Sequence, residues 1–71
     1  MQLTLNGTTQ EFSTLQTGAT LQNLLDHLAL KGDRIAVELN GNIVSRAGWA
    51  VTELTAGDKL EVVHFVGGGR E

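Results

Sequence analysis

Cysteine and proline are both absent from this 71-residue chain. Without cysteine there is no disulfide, no zinc ribbon and no thiol nucleophile. Two histidines, His27 and His64, are too few to build a structural metal site by themselves. Basic residues are scarce: five Lys and Arg stand against eight Asp and Glu, for a net charge of -3 and a pI near 5.2. Binding to a phosphate backbone needs a basic face, so nucleic acid is not the expected partner. No apolar run approaches the roughly 20 residues needed to span a bilayer. Met1-Gln2-Leu3-Thr4-Leu5 carries no basic region, unlike a signal peptide. The expected compartment is the cytoplasm. What is present suits one small domain. Hydrophobic residues make up 41% of the chain, too many for disorder by composition. A domain of this size hides only about 60% of the surface its unfolded chain exposes, so its stability should be modest.

Glycine does the punctuating, with nine in the chain. Met1, Leu3 and Leu5 alternate with Gln2 and Thr4, the period of a half-buried strand. Asn6-Gly7 follows, a strong two-residue hairpin signal because both positions tolerate positive φ. Residues 8–12 form the expected return strand, and 13–19 are polar and loop-like. The period then changes. Leu21, Leu24, Leu25 and Leu28 fall at i, i+3, i+4 and i+7, an apolar stripe that predicts a helix over 21–30. Thr20 stands at the N-cap position. Gly32 is placed to close the helix in the left-handed region, and Lys31 to meet the negative end of the dipole.

Period two returns at Ile35, Val37 and Leu39. Asn40-Gly41 is a second hairpin signal, followed by the short run Ile43-Val44. Residues 45–58 are expected to be irregular, anchored by Trp49, Val51 and Leu54. Gly57-Asp58 then turns the chain into a last strand over 59–66. The order is hairpin, helix, strand pair, irregular stretch, strand. A helix covering one face of a mixed sheet follows, because alternating strands keep one wet face. This is an α+β arrangement of the β-grasp, or ubiquitin-like, kind: four to five strands packed on one helix, with the last strand central and beside the first. The expected division is a β-grasp domain over 1–66 and a glycine-rich C-terminal tail over 67–71. No internal repeat or interdomain linker appears.

Chemistry within the chain is not expected. Ser13, Ser45 and several threonines offer hydroxyls, but no triad motif connects them to His27 or Asp26. Asp26 and His27 fit the solvated face of the helix. There is no strand-GxGxxG-helix unit. So short a chain has little room for a pocket of the usual few hundred Å³. The end of the chain is more informative. In the last strand, Leu60 and Val62 match the inward set, while Val63 and Phe65 fall toward the open face after a local change of phase. They form either a docking patch or ordinary packing covered by the irregular stretch. Gly67-Gly68-Gly69 follows at once. Three terminal glycines can be a mere mobile end, but glycine lacks Cβ. An extended glycine segment can therefore thread a cleft that any side chain would block. A carboxylate delivered in that way could be activated as an acyl-adenylate.

The chain resembles the ThiS family, the sulfur carriers of thiamin biosynthesis. The resemblance runs from Met1 to Gly69. It is most specific in Val37-Glu38-Leu39-Asn40-Gly41-Asn42-Ile43-Val44, Ser45-Arg46, Trp49, Gly57-Asp58-Lys59-Leu60-Glu61-Val62-Val63 and His64-Phe65-Val66-Gly67-Gly68-Gly69. Arg46 and Trp49 match family positions, and their expected part is to close the irregular stretch onto the body. The resemblance implies a protein co-substrate rather than an enzyme. It binds no cofactor itself. An E1-like adenylyltransferase (ThiF-like) uses ATP and Mg to adenylate a terminal glycine carboxylate. Sulfur from a cysteine desulfurase displaces AMP, and a thiazole synthase (ThiG-like) takes sulfur from the resulting thiocarboxylate.

Carried over by position, Gly69 is the thiocarboxylate residue, Gly67 and Gly68 supply the threading segment, and Val63 and Phe65 face the partner. One departure is clear. The family pattern ends at the second glycine of the pair, whereas this chain continues with Arg70-Glu71. Their removal by a C-terminal hydrolase before activation is therefore expected. The competing readings are a remnant of expression or a carrier that cannot be charged. Other functions within the same fold are a MoaD-like or other-pathway sulfur carrier, a non-chargeable binding module, and a modifier conjugated to lysines.

Overall fold

The computed structural model describes residues 1–30 and 34–64; residues 31–33 and 65–71 lie outside the described set. Five strands form one mixed sheet: β1 (Gln2–Leu5), β2 (Thr8–Glu11), β3 (Ile35–Leu39), β4 (Asn42–Val44) and β5 (Lys59–His64). Their spatial order is β2-β1-β5-β3-β4. The last strand lies parallel to β1 and antiparallel to β3. This is the β-grasp arrangement, with one helix, α1 (Leu21–His27), on one face.

Both hairpins turn on the expected dipeptides. Asn6 and Gly7 have φ of 49° and 83°, and Asn40 and Gly41 have 51° and 87°. Positive φ at both central residues defines the type I′ turn, whose twist matches that of paired strands.

Thr20 caps α1 as expected. Its hydroxyl accepts from the Asn23 N–H at 3.2 Å, and the Asn23 side chain accepts from the Thr20 N–H at 2.9 Å. This is a capping box closed by asparagine rather than the usual Glu or Gln. The helix ends earlier than the apolar stripe suggested. Leu28 is the C-cap and Ala29, at φ 58°, takes the left-handed position foreseen for Gly32. The Leu30 N–H donates to the Leu25 carbonyl and the Ala29 N–H to the Asp26 carbonyl, both at 3.0 Å. These two bonds are a complete Schellman closure, which satisfies orphan carbonyls well before Gly32. The basic residue of the last turn is His27. Lys31 and Gly32 lie outside the described residues.

Leu21, Leu24 and Leu25 of the helix are fully buried against Leu3, Val37 and Leu60 of the sheet. Phe12, Leu15, Ile35, Trp49 and Leu54 complete the core. The stretch expected to be irregular contains a 3-10 helix, Arg46–Val51. Trp49 and Leu54 anchor it, and the Trp49 indole N–H donates to the Val44 carbonyl at 3.0 Å. Val51 is no anchor: it is 80% exposed, because the tight 3-10 turn that buries Trp49 points it to solvent. The following residues run beside the start of α1. The Leu21 N–H donates to the Thr52 carbonyl and the Leu54 N–H to the Ala19 carbonyl, each at 2.8 Å. One orphan donor of the helix is thereby satisfied from across the fold.

Candidate functional site

The candidate site is the end of β5 and the sheet face beside it. β5 continues in sequence into Phe65, Val66 and the three glycines. It is held on both sides. The backbone ladder with β3 runs without interruption from Leu39–Leu60 to Ile35–His64. The ladder with β1 is shorter, Thr4–Lys59 and Leu5–Leu60.

Beyond it, the Asn6 side chain takes over. Its Oδ1 accepts from the Val62 N–H at 2.7 Å, and its Nδ2 donates to the Val62 carbonyl at 3.3 Å. The other turn asparagine grips the start of the same strand. Asn40 Oδ1 accepts from the Lys59 N–H, and Asn40 Nδ2 donates to Asp58 Oδ1, both at 3.0 Å. Asp58 in turn accepts from the Thr55 N–H at 2.8 Å, closing the turn that feeds β5. The sequence showed Asn6 and Asn40 only as turn formers. A usable signal was present, since both are asparagine at the first turn position, where a side-chain amide can stand in for backbone.

The continuous register with β3 removes the expected change of phase. Strict alternation alone puts Leu60 and Val62 inward and Val63 outward. Val63 is 53% exposed on the face opposite α1, the side expected of it. Phe65, Gly67, Gly68, Gly69, Arg70 and Glu71 lie outside the described residues.

Asp26 and His27 are exposed. The His27 Nδ1 lies 3.2 Å from the Thr14 hydroxyl, and its ring meets Phe12 edge-on at 5.9 Å. Ser13 and Ser45 make no hydrogen bond to either residue. An open depression of about 560 Å³ lies between Met1, Leu15, Gly18 and Glu53, larger than so short a chain suggested. The Met1 ammonium at its edge is taken up by Glu11 at 2.7 Å and the Phe12 carbonyl at 2.9 Å. Glu53 is its one ionisable side chain, so it holds no acid–base pair. Among the described residues no group of three His, Asp or Glu is placed to hold a metal ion.

Fold and site together define a β-grasp domain of the ubiquitin-like class whose central strand leads into a glycine-rich end. The ThiS family profile matches residues 3–69. The chain is 40% identical to a thiazole synthase of Magnetococcus marinus over 70 residues, 99% of this chain but 21% of that protein. It therefore spans about a fifth of the length of that relative. It is also 40% identical to the sulfur carrier protein ThiS of Bacillus subtilis over 50 residues, 70% of this chain and 76% of that one. The crystal structure of the thiamine biosynthesis protein ThiS from Geobacter metallireducens superposes with a TM-score of 0.82 at 31% identity, over 97% of this chain and all of that one. The chain belongs to the ThiS family.

Proposed function

We propose that the chain is a sulfur carrier of thiamin biosynthesis, acting as a protein co-substrate and not as a catalyst. The supporting observation is the course of β5. It lies in the middle of the sheet, clamped at Lys59 and Val62, and continues in sequence into Gly67-Gly68-Gly69. A rigid central strand suits a handle, and a glycine end suits delivery into another protein's cleft. Family membership supports the same reading.

In this reading the working group is the carboxylate of Gly69, exposed once a hydrolase has removed Arg70 and Glu71. An E1-like adenylyltransferase with ATP and Mg joins AMP to it, the carboxylate attacking the α-phosphorus and pyrophosphate leaving. Persulfide sulfur drawn from a cysteine desulfurase then attacks the Gly69 acyl carbon and AMP leaves; a second thiol cleaves the S–S bond of the resulting acyl disulfide, leaving sulfur on Gly69 and departing as a disulfide. The thiocarboxylate that results is a stronger nucleophile than a carboxylate and gives its sulfur to thiazole formation by a thiazole synthase. A matching stretch within a Magnetococcus marinus thiazole synthase supports that choice of acceptor, because domains joined in one chain commonly act on one another. The chain contributes presentation: a Cβ-free segment, and Val63 with Phe65 as apolar contacts. Among the described residues no helix is long and apolar enough to cross a membrane. The carrier is proposed to work in the cytoplasm.

The test uses the chain ended at Gly69, incubated with its adenylyltransferase, Mg-ATP, cysteine and desulfurase. Intact mass should show one oxygen replaced by sulfur. No exchange in that mixture would overturn the carrier reading.

A further inference from the structure

Both hairpin turns hold a dipeptide that can react with itself. Asn6 and Asn40 precede glycine, whereas Asn23 and Asn42 precede Leu24 and Ile43. In an Asn-Gly pair the glycine backbone nitrogen can attack the asparagine Cγ. The side-chain nitrogen leaves as ammonia, taking the proton of the glycine N–H, and a five-membered succinimide remains. Water then opens the ring. One opening gives aspartate; the other gives isoaspartate, whose main chain runs through the former side chain. The net change is an amide and water to a carboxylate and ammonium, with no oxidant, reductant or enzyme. Glycine permits it because no Cβ hinders the approach of its nitrogen.

In this fold both amides are already engaged on β5 and the turn that feeds it. Asn6 accepts from the Val62 N–H at 2.7 Å and donates to the Val62 carbonyl at 3.3 Å. Asn40 accepts from the Lys59 N–H and donates to the Asp58 carboxylate, both at 3.0 Å. Ring closure carries Cγ onto the glycine nitrogen and expels Nδ2. It therefore cannot proceed until the amide has let go of these partners.

We propose that Asn6-Gly7 and Asn40-Gly41 are modification sites, converted through a succinimide, and that β5 with its entry turn is their shield. Each asparagine reacts only while its side chain is off its partners. The inference goes beyond the carrier reading and does not depend on it. The change runs one way. A carboxylate at position 6 faces the Val62 carbonyl, and one at position 40 faces the Asp58 carboxylate. Isoaspartate at either place lengthens the main chain of a two-residue turn, whose length sets the register of its hairpin. A chain in which β5 has once opened is thereby hindered from closing again, so the modification records the opening.

The experiment incubates the whole chain at neutral pH, folded and in guanidinium chloride, and follows each asparagine by peptide mass and isoaspartate content. In denaturant both Asn-Gly pairs should convert, while Asn23 and Asn42 stay intact over the same period. In the folded chain each pair should convert at least about tenfold more slowly, because two hydrogen bonds must open first. Asp58→Ala removes the acceptor of Asn40 Nδ2. It should quicken Asn40-Gly41 about fivefold, the worth of one such bond, and leave Asn6-Gly7 at the parent rate. Should that variant fail to fold, the comparison of folded and denatured parent decides alone. Three results would overturn the inference: no conversion in denaturant, equal rates in folded and denatured parent, or a folded Asp58→Ala whose Asn40-Gly41 keeps the parent rate.

Discussion

The side chain of Asn6 pairs with the backbone of Val62 as another strand would, accepting from its N–H at 2.7 Å and donating to its carbonyl at 3.3 Å. The two residues are 56 positions apart, so one turn residue extends the β1–β5 ladder past the end of β1. Replacing Asn6 with glycine keeps the positive φ and removes both bonds. Stability should fall by about 1–2 kcal/mol, the net worth of two hydrogen bonds at a partly solvated site. Asn6→Asp should cost at least as much, because a carboxylate oxygen then faces the Val62 carbonyl. Urea titration gives the free energy, and amide exchange should quicken at Val62 before Leu60. Equal protection at Val62 in variant and parent would contradict the clamp.

Ala29 closes α1 at φ 58°, a conformation in which Cβ crowds the backbone. Glycine there relieves the crowding, although its greater freedom in the unfolded chain offsets part of the gain. Ala29→Gly should therefore raise stability by about 0.5–1 kcal/mol, a few degrees in Tm for a domain this small. A lower Tm would show that the helix closes elsewhere.

Leu24 is wholly buried where α1 meets the sheet, and Trp49 is 3% exposed behind it. Leu24→Ala should cost about 2–5 kcal/mol through lost burial and the cavity left behind. In a domain of modest stability that approaches complete unfolding. Trp49 is the one tryptophan of the sequence, so its emission reports on the core. The parent should emit in the blue, and Leu24→Ala should shift toward the red of solvated indole. An unshifted spectrum with sharp, native-like amide resonances would show that the site collapses without loss.

Val63 and Gly69 should separate presentation from folding. Val63 is half in water, so Val63→Ser should change Tm little while raising the KM for carrier in adenylation. Gly69→Ala, in a chain ended at that residue, should fold normally and slow adenylation, because its Cβ enters the cleft that the glycines are proposed to thread. Thiocarboxylate yield equal to the parent's would refute threading. A large fall in Tm for Val63→Ser would mean that the outer face is covered by the chain itself.

Most of the architecture could be read from local pattern. Alternation marked β1, β3 and the start of β5; the leucine spacing marked α1; Asn6-Gly7 and Asn40-Gly41 marked both hairpins; and Thr20 marked the cap. Each of these signals lies within a few neighbouring residues, where covalent geometry and turn sterics dominate. The site was legible only in part. Val63 was placed correctly on the open face, since parity within one strand decides that. Val51 was misplaced, since hydropathy cannot tell which way a 3-10 turn will aim a side chain.

By itself, then, the sequence determined the strands, the helix and their turns, and it carries the glycine run that suggests a carrier. Only the tertiary structure decided that Asn6 and Asn40 both hold β5, that α1 closes on Ala29 instead of Gly32, and that Glu38 faces Glu61 beside Ile43. The hold of Asn6 on Val62 and the facing of Glu38 with Glu61 depend on pairing between residues more than 20 positions apart in the chain. Register is set by how the whole inner face of Leu3, Val37 and Leu60 packs beneath α1, a constraint that no short stretch of sequence carries.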